Sequence, residues 1–279
     1  MINELNNLKT QVCKLNAPTA VSEDTWNQFT ANTTVALMAG GESSRFKSVP
    51  GSEHSNKSSF RLPNGDTMIE MAVRMYRDAG FKKFVCLVYH KAESVKEVLG
   101  NGSALGVEVL YSHDPEQAVG KGGAVLNAIL NGSIDPTKPL IIHNPDDVIL
   151  NSTKEFPRHI STGYLNGVEA GADITLVVVE ETPYAYTGMV VTDNKITAIE
   201  QYPMIPIPTH IGVTIMSPSE LQKIQKDFTL ETKFNYETEL FPALAAENKL
   251  YAVSIPTNDW LAVNTLKSYN TLLKEIGLQ

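Results

Sequence analysis

The sequence predicts an α/β fold with a mostly parallel mixed sheet flanked by helices and a small antiparallel hairpin section in the C-terminal half. Two observations predict this fold. In the N-terminal half, short apolar runs with strand character alternate with amphipathic helical segments. In the C-terminal half, the segment 187–199 has two strand-like runs around Asp193-Asn194, a dipeptide typical of a tight hairpin turn. A parallel sheet covered by helices on both faces is Rossmann-like in architecture.

The elements follow from these patterns in chain order. Residues 1–33 are predicted to form an N-terminal helical extension, and residues 34–279 a single domain. The predicted strands are 35–39, 84–89, 107–111, 140–143, 174–179, 210–216 and 250–255. The predicted helices are 67–80, 93–99, the segment after Gly120, the segment after Pro218, 237–247 and 265–276.

The composition excludes several classes of protein. The 279 residues carry 31 Asp plus Glu against 23 Lys plus Arg, a net charge of −8, so nucleic acid and anionic membranes are poor partners. Cys13 and Cys86 are the only cysteines, too few for a disulfide framework or a zinc site. No apolar run approaches the roughly 20 residues of a membrane span, and the N-terminus does not resemble a secretory signal. A cytoplasmic location is therefore expected, and the oligomeric state, including a homo-oligomer, stays open.

The stretch after the first strand predicts a phosphate-binding loop. The strand ends at Ala39 and is followed by Gly40 and Gly41, whose backbone amides can approach a ligand closely. Hydroxyl groups and a guanidinium suited to phosphate follow at Ser43, Ser44 and Arg45. Further along, a second cation is available at Lys57. The other interpretation is a surface connection, but the next clear helix starts only near Thr67, and such a long connection is usually functional or disordered.

A second glycine-rich segment opens the helix after residue 119. Gly122 and Gly123 would leave room for a flat base or a sugar, and Lys121 in the first turn opposes the helix dipole unless an anion lies there. A tight helix start with a solvated lysine is the alternative.

The fourth strand runs directly into an acidic turn at Asp146 and Asp147. Ligands in open α/β sheets lie at the carboxyl ends of strands, where a carboxylate can hold Mg²⁺ together with substrate phosphate oxygens. An ordinary Asx-type turn is the alternative. The upstream glycine loop favours the metal interpretation.

These motifs, in this order, resemble those of the sugar-phosphate nucleotidyltransferases, also called nucleotide-sugar pyrophosphorylases. The loop 39–45, AGGESSR, resembles that family's AGGxGTR signature, and Lys57 falls where its activating lysine follows. The segment 120–126, GKGGAVL, is similar to the base-contacting segment of UTP–glucose-1-phosphate uridylyltransferases, the nearest members in motifs. The likeness covers residues 34–276.

The second half carries the remaining motifs of the resemblance. The blocks 186–190 and 198–200 are similar to the segments that hold the sugar and its phosphate, which implies acceptor binding by Gly188 and Glu200. The closing segment resembles the one in which a metal ligand follows a tryptophan. This implies that Asp146 and Asn264 are the two protein ligands of the metal ion.

The resemblance implies a Mg²⁺-dependent enzyme that moves a nucleoside monophosphate from an NTP to a phosphorylated acceptor. The acceptor it implies is a sugar 1-phosphate, and the products are an NDP-sugar and pyrophosphate. The implied catalytic residues are Arg45, Lys57 and Asp146. The implied nucleotide-binding residues are Ala39, Gly40, Gly41, Ser43, Ser44, Gln117, Gly122 and Gly123.

The sequence departs from the family pattern at several positions. Tyr202 stands where the family has a lysine, and Ala262 stands at the place of the second metal aspartate. Gln117 is the nearest match to the base-reading glutamine, and Ser43 with Ser44 resembles the loop of molybdenum-cofactor guanylyltransferases and some cytidylyltransferases. Two alternatives therefore remain open: a guanylyl- or cytidylyltransferase with a different phosphorylated acceptor, and a catalytically inactive nucleotide or nucleotide-sugar binding protein of the same fold.

Overall fold

The computed structural model describes residues 2–117 and 119–279, so Met1 of the predicted extension lies outside the described residues. The described part forms nine α-helices and thirteen strands. The helices are α1 (Ile2–Val12), α2 (Glu23–Asn32), α3 (Met68–Asp78), α4 (Ala92–Leu99), α5 (Gly120–Leu130), α6 (Phe156–Glu169), α7 (Pro218–Asp227), α8 (Phe241–Ala246) and α9 (Leu266–Glu275). The strands are β1 (Thr34–Ala39), β2 (Lys83–Val88), β3 (Glu108–His113), β4 (Leu140–His143), β5 (Asp147–Ile149), β6 (Ile174–Val179), β7 (Thr182–Pro183), β8 (Thr187–Thr192), β9 (Lys195–Gln201), β10 (Met204–Ile205), β11 (Thr209–Met216), β12 (Leu250–Ile255) and β13 (Trp260–Ala262).

Seven strands form one central sheet in the order β12-β6-β11-β4-β1-β2-β3. β11 runs antiparallel to both of its neighbours, and every other pair in this sheet is parallel. The predicted α/β class with a mostly parallel mixed sheet is therefore confirmed.

Helices cover both faces of this sheet because successive residues of its strands point to opposite sides. Along β1, Val35 and Leu37 pack in one apolar cluster with α2, α3, α4 and α6. Ala36, between them, belongs to the opposite cluster with α5, α7 and α8. A third cluster joins α9 to the segments around Phe46 and Val148.

The predicted hairpin is present as β8 and β9, which pair only with each other among the described strands. Its turn places Asp193 and Asn194 at φ +47° and +64°, the left-handed conformation that a two-residue hairpin turn needs and that Asp and Asn tolerate. Gly188 lies opposite Glu200 in the ladder, so both residues face the same side of the hairpin.

Some elements differ from those predicted. Helix α6 and the small sheet of β5 with β13 were not predicted, and the segment 237–247 begins with a π-helical turn at Tyr236–Leu240 before α8. The loop after β1 contains three short 3₁₀ helices, Ser44–Ser48, Ser52–His54 and Lys57–Ser59. The chain between β1 and α3 therefore has a local fold that positions its side chains.

Candidate active site

A cleft of about 500 Å³ opens at the carboxyl ends of β1, β2, β3 and β4. These four strands are adjacent in the sheet, so the loops that follow them meet at one edge. The cleft is lined by Met38, Ala39, Gly40, Gly41, Ser43, Arg45, Asn56, Lys57, Ser58, Leu87, Tyr89, Asp114, Gly120, Lys121, Ala124, Asn144, Asp146, Asp147, Lys233, Asn235 and Asn264.

The glycine loop forms one wall of the cleft. A side chain at Gly41 would meet no protein atom within 4 Å, so the backbone here borders open space. Ser43 follows in the left-handed conformation with φ +50°, and the 3₁₀ helix Ser44–Ser48 carries Arg45 into the cleft lining. Ser44 lines an adjoining depression of about 250 Å³, which shares Arg45 and Lys57 with the main cleft.

Lys57 lies at the centre of a buried polar contact. Its ammonium group donates to Asp146 Oδ2 at 2.5 Å and to Asn264 Oδ1 at 2.7 Å. Only 9% of Lys57 is exposed. Asn56 caps the short 3₁₀ helix that carries Lys57 and donates from Nδ2 to the carbonyl of Ala39 at the end of β1. This hydrogen bond ties the far part of the long loop to the end of the strand from which the loop starts.

The β5–β13 ladder explains why Asp146 and Asn264 meet. Ala262 pairs with Asp147 in this ladder, and the amide of Val263 donates to the carbonyl of Asp146 at 2.8 Å. The ladder thus brings Asn264, the next residue, to the acidic turn after β4. The two oxygen atoms that contact Lys57 come from segments far apart in the chain.

Asp147 has a structural environment, in contrast to Asp146. Its Oδ1 accepts from Trp260 Nε1 at 2.9 Å, and its Oδ2 accepts from Asn144 Nδ2 at 3.0 Å. Burial, and then the neighbouring charge of Asp146, raise the pKa of the Asp147 carboxyl above its usual range. Asp146, whose side chain is 18% exposed, is the acid that faces Lys57.

The start of α5 forms the opposite wall. Gly120 takes φ +81°, and the Lys121 ammonium pairs with Glu237 Oε1 at 2.7 Å. A Cβ atom at Gly122 would lie 2.4 Å from the ring of Phe234, and one at Gly123 would lie 2.7 Å from Val119. Close packing therefore explains why glycine occupies these two positions. Their predicted contact with a base stays a prediction.

The structure brings most of the predicted site residues together. The predicted residues that line the cleft are Ala39, Gly40, Gly41, Ser43, Arg45, Lys57, Asp146 and Asn264. Those outside its lining are Ser44, Gln117, Gly122, Gly123, Gly188 and Glu200. Gln117 is exposed on the loop before α5, and Gly188 and Glu200 lie on the β8–β9 hairpin. A contact of these six residues with a ligand in the cleft stays a prediction.

Two further charged residues line the cleft, and the sequence patterns did not indicate them. Asp114 follows β3 directly, and Lys233 precedes the π-helical turn. The signal for Asp114 was available, because an acid directly after a parallel strand lies at the ligand edge of the sheet. Among the described residues, neither Arg45 nor Lys233 has an ion-pair partner, so both cations can receive an anion.

Among residues 2–117 and 119–279, no group of three or more His, Cys, Asp or Glu side chains is arranged to hold a metal ion. None of the described helices is both long enough and apolar enough to span a membrane.

Comparison with known proteins adds independent information. Residues 34–277 match the model of a protein family described as nucleotidyl transferase. The mannose-1-phosphate guanylyltransferase catalytic subunit beta of Drosophila pseudoobscura pseudoobscura is 28% identical over 204 residues, which are 70% of this chain and 50% of that protein. The UTP–glucose-1-phosphate uridylyltransferase of Synechocystis sp. is 26% identical over 216 residues, 72% of this chain and 53% of that protein. The chain thus spans about half the length of these curated relatives.

A solved structure shows the same fold. The crystal structure of HddC from Yersinia pseudotuberculosis superposes with a TM-score of 0.60 at 18% identity and covers 87% of this chain and 99% of that one. At this identity the likeness concerns the fold alone.

Proposed function

The chain belongs to the nucleotidyl transferase family, and from this premise we propose that it transfers a nucleoside monophosphate from an NTP to a sugar 1-phosphate. The products of this reaction are an NDP-sugar and pyrophosphate. The relatives described above are named for guanylyl and uridylyl transfer to mannose 1-phosphate and glucose 1-phosphate, which supports a sugar 1-phosphate as the acceptor.

One observation carries the proposal. The glycine loop with Arg45 and the acidic turn with Asp146 border a single cleft, although they follow different strands. A triphosphate needs backbone amides and cations at one side and a neutralising centre at the reacting phosphorus. Had Arg45 and Asp146 faced separate regions, this geometry would not support phosphoryl chemistry.

The chemistry needs positioning more than proton transfer. An oxygen of the acceptor phosphate forms a bond to the α-phosphorus of the NTP, and the bond from this phosphorus to the bridging oxygen of the β-phosphate breaks. The attacking oxygen is already anionic, so no protein base has to remove a proton. Catalysis then depends on alignment and on neutralising charge. We assign Arg45 and Lys57 to the charge that develops toward pyrophosphate, and the amides of Gly40 and Gly41 to the phosphates.

The residues present fit a bound Mg²⁺ ion. Asp146 Oδ2 and Asn264 Oδ1 converge on one cationic point, the Lys57 ammonium, which stands in for the charge of a metal ion there. Mg²⁺ prefers hard oxygen ligands and is commonly held by one or two protein groups together with substrate phosphates. When bound, the ion would neutralise charge on the reacting phosphates. For Asp146 and Asn264 to hold Mg²⁺ through these oxygens, Lys57 would have to move away from them.

The remaining predicted residues keep their assignments as proposals. Gly188 and Glu200 would orient hydroxyl groups of the acceptor from the hairpin, and their shared face is the less exposed side of it. On the opposite side, Met189 and Ile199 are 52% and 61% exposed. Ser43 and Ser44 would donate to the triphosphate.

Pyrophosphate release is the direct test. The purified chain is assayed with Mg²⁺, ATP, CTP, GTP, UTP and dTTP, and a panel of sugar 1-phosphates. We expect release with at least one pair of substrates, and we expect Asp146→Ala to reduce it about 1,000-fold or more, because one charged ligand at the reacting centre is lost. Asp227→Ala, an exposed carboxylate at the end of α7, is the matched control and should leave the rate unchanged.

The same assay separates the alternatives. Nucleotide binding without release from any pair would support the inactive binding protein. Release only with a phosphorylated acceptor other than a sugar 1-phosphate would support the alternative acceptor class. Full activity of Asp146→Ala would remove the assigned role of this residue.

A further inference from the structure

Asp114 lies at the end of the cleft away from the acidic turn. It follows β3 directly, and its amide continues the ladder by donating to the carbonyl of Val88 at 3.0 Å. Leu87 and Tyr89 at the end of β2 line the same cleft, together with Ala124 from the first turns of α5. Asp114 is therefore an acid fixed to the sheet and bordered by apolar and aromatic groups.

The carboxylate of Asp114 lacks the hydrogen bonds that a structural role would supply. Its Oδ1 atom is shielded from solvent and has no hydrogen-bond partner among the described residues. Burial raises the pKa of this carboxyl from 3.8 to about 6. Asp147, the buried acid at the other end of the cleft, has partners on both of its oxygens. An unpartnered acceptor costs free energy in the folded protein, and a ligand that brings donors removes that cost.

The position of Asp114 relative to the phosphate elements indicates which part of a nucleotide would reach it. In the sheet order β4-β1-β2-β3, the glycine loop follows β1, the acidic turn follows β4, and Asp114 follows β3. Three strand spacings separate β4 from β3, roughly 14 Å. With phosphates between the glycine loop and Asp146, the base of an extended nucleotide would fall at the ends of β2 and β3.

The chemistry of a carboxylate selects among the bases. An ionised carboxylate only accepts hydrogen bonds, and its two oxygens can take two parallel N–H donors. Guanine is the base that presents two adjacent donors on one edge, N1–H and the 2-amino group. Uracil and thymine present one N–H between two carbonyl oxygens, and adenine and cytosine present an amino group beside an acceptor nitrogen.

We propose that Asp114 reads guanine by accepting from N1–H and the 2-amino group, after a side-chain rotation that turns the shielded Oδ1 toward the cleft, and that the donor nucleotide is GTP. This inference rests on the proposed function for the location of the phosphates, and it names the substrate that the assay above leaves open. The base-reading residue is then Asp114 and not Gln117, which is exposed and lies outside the cleft lining.

Equilibrium binding without acceptor tests the proposal independently of turnover. Dissociation constants are measured by titration calorimetry for GTP, ITP and UTP. GTP should bind most tightly. ITP, which lacks the 2-amino group, should bind about 10- to 100-fold more weakly, since one hydrogen bond to a charged acceptor is lost. Asp114→Asn should weaken the binding of GTP by a similar factor. It should strengthen the binding of UTP, because an amide offers the donor and acceptor that uracil requires.

Glu116→Gln is the matched control. It removes the same charge only two residues from Asp114, but the Glu116 side chain is exposed and lies outside the cleft lining. Its dissociation constants should equal those of the native chain. Asp114→Asn should unfold at the same or a higher temperature at pH 7, since burial disfavours the charge that it removes. Should this variant not fold, the comparison of GTP with ITP on the native chain still decides.

The outcomes separate the two proposals. Equal binding of GTP and ITP, a preference for UTP in the native chain, or unchanged constants in Asp114→Asn would overturn the assignment of guanine while leaving nucleotidyl transfer to the pyrophosphate assay. A guanine preference that depends on Asp114, combined with no pyrophosphate release from any pair, would support the base assignment and reject the transfer. No binding of any nucleotide would overturn both.

Discussion

His143 is a buried residue that fixes the acidic turn at the end of β4. Its Nε2 contacts the carbonyl of Asp147 at 2.9 Å, and its Nδ1 contacts the hydroxyl of Tyr76 at 3.0 Å. Because a carbonyl oxygen only accepts, Nε2 carries the proton in the neutral ring, and Nδ1 accepts from Tyr76. Burial lowers the pKa of His143 from 6.5 to about 4. The folded protein therefore holds this imidazole neutral.

This shift predicts acid sensitivity within a defined window. The unfolded chain takes up a proton at His143 below about pH 6.5, whereas the folded chain does so only near pH 4. The stabilisation is thus complete above pH 6.5 and is lost as the pH falls toward 4. We expect the contribution of His143 to the free energy of unfolding to be about 2 kcal/mol smaller at pH 5 than above pH 6.5. Urea unfolding at pH 7.5, 6, 5 and 4.5 measures it.

His143→Gln is the control for this prediction, because glutamine keeps hydrogen-bonding capacity without titrating in this range. The variant is expected to be less stable at pH 7.5 and to lose less stability on acidification. If the free energy of unfolding fell equally with decreasing pH in the native chain and the variant, another group would cause the acid sensitivity.

At the scale of single residues, the predicted residues that line the cleft include those where residue type and strand position agree, and their assigned roles stay predictions. Arg45 and Asp146 follow strands that the apolar runs marked clearly, and both line the cleft. Gln117 is the nearest match to the base-reading glutamine of the family and lies outside the cleft lining, whereas Asp114 has the strand-end position. The contact of Lys57 with Asn264 could not be derived from the sequence, because it depends on pairing between β5 and β13.

Elements give glycines different roles that the sequence alone does not separate. Gly41 follows β1 in a loop, and a side chain there would meet no protein atom within 4 Å. Gly122 lies inside α5, where a Cβ atom would be 2.4 Å from Phe234. The ring of Phe234 stacks on that of Phe228 with centroids 3.8 Å apart, so it cannot withdraw easily. One glycine borders ligand space and the other allows a helix to pack.

Alanine should therefore affect stability at Gly122 and nucleotide binding at Gly41. We expect Gly122→Ala to lower the free energy of unfolding by about 1–3 kcal/mol, because overpacking outweighs the gain in helix propensity. Gly41→Ala should change it by about 0.5 kcal/mol or less, since it creates no clash, but should weaken nucleotide binding by filling the space that a phosphate needs. Urea unfolding and nucleotide titration of both variants measure the two effects. Equal stability losses, or unchanged nucleotide affinity of Gly41→Ala, would contradict this assignment.

The elements that the sequence predicted well are those with a strong local pattern. The hairpin β8–β9 follows from Asp193 and Asn194, whose left-handed conformation suits its turn. In contrast, β5 and β13 have three residues each and pair across more than 100 residues of chain. A strand this short has no measurable periodicity, and its partner is set by tertiary packing. The position of Asn264, the second predicted metal ligand, depends on this ladder.

At the scale of the whole molecule, the N-terminal residues divide into two parts. Helix α2 contributes Trp26 and Phe29 to the main apolar cluster, and both rings contact Phe81 in edge-to-face geometry. Phe29 also packs against Tyr164 of α6. In α1, by contrast, the described ion pairs of Lys9 with Glu180 and Glu181 lie at the surface. The extension predicted for residues 1–33 is therefore joined to the domain through its second helix.

This difference leads to a prediction about stability. Trp26 is 7% exposed, so Trp26→Ala should lower the free energy of unfolding by about 3–5 kcal/mol through lost burial and a residual cavity. Val12, the last residue of α1, is 46% exposed, and Val12→Ala should change it by about 0.5 kcal/mol or less. Chemical unfolding at constant pH measures both. A cost below about 1 kcal/mol for Trp26→Ala would mean that α2 docks too weakly to belong to the core. The domain boundary would then lie at β1, since the sheet and its cleft would no longer depend on the residues before it.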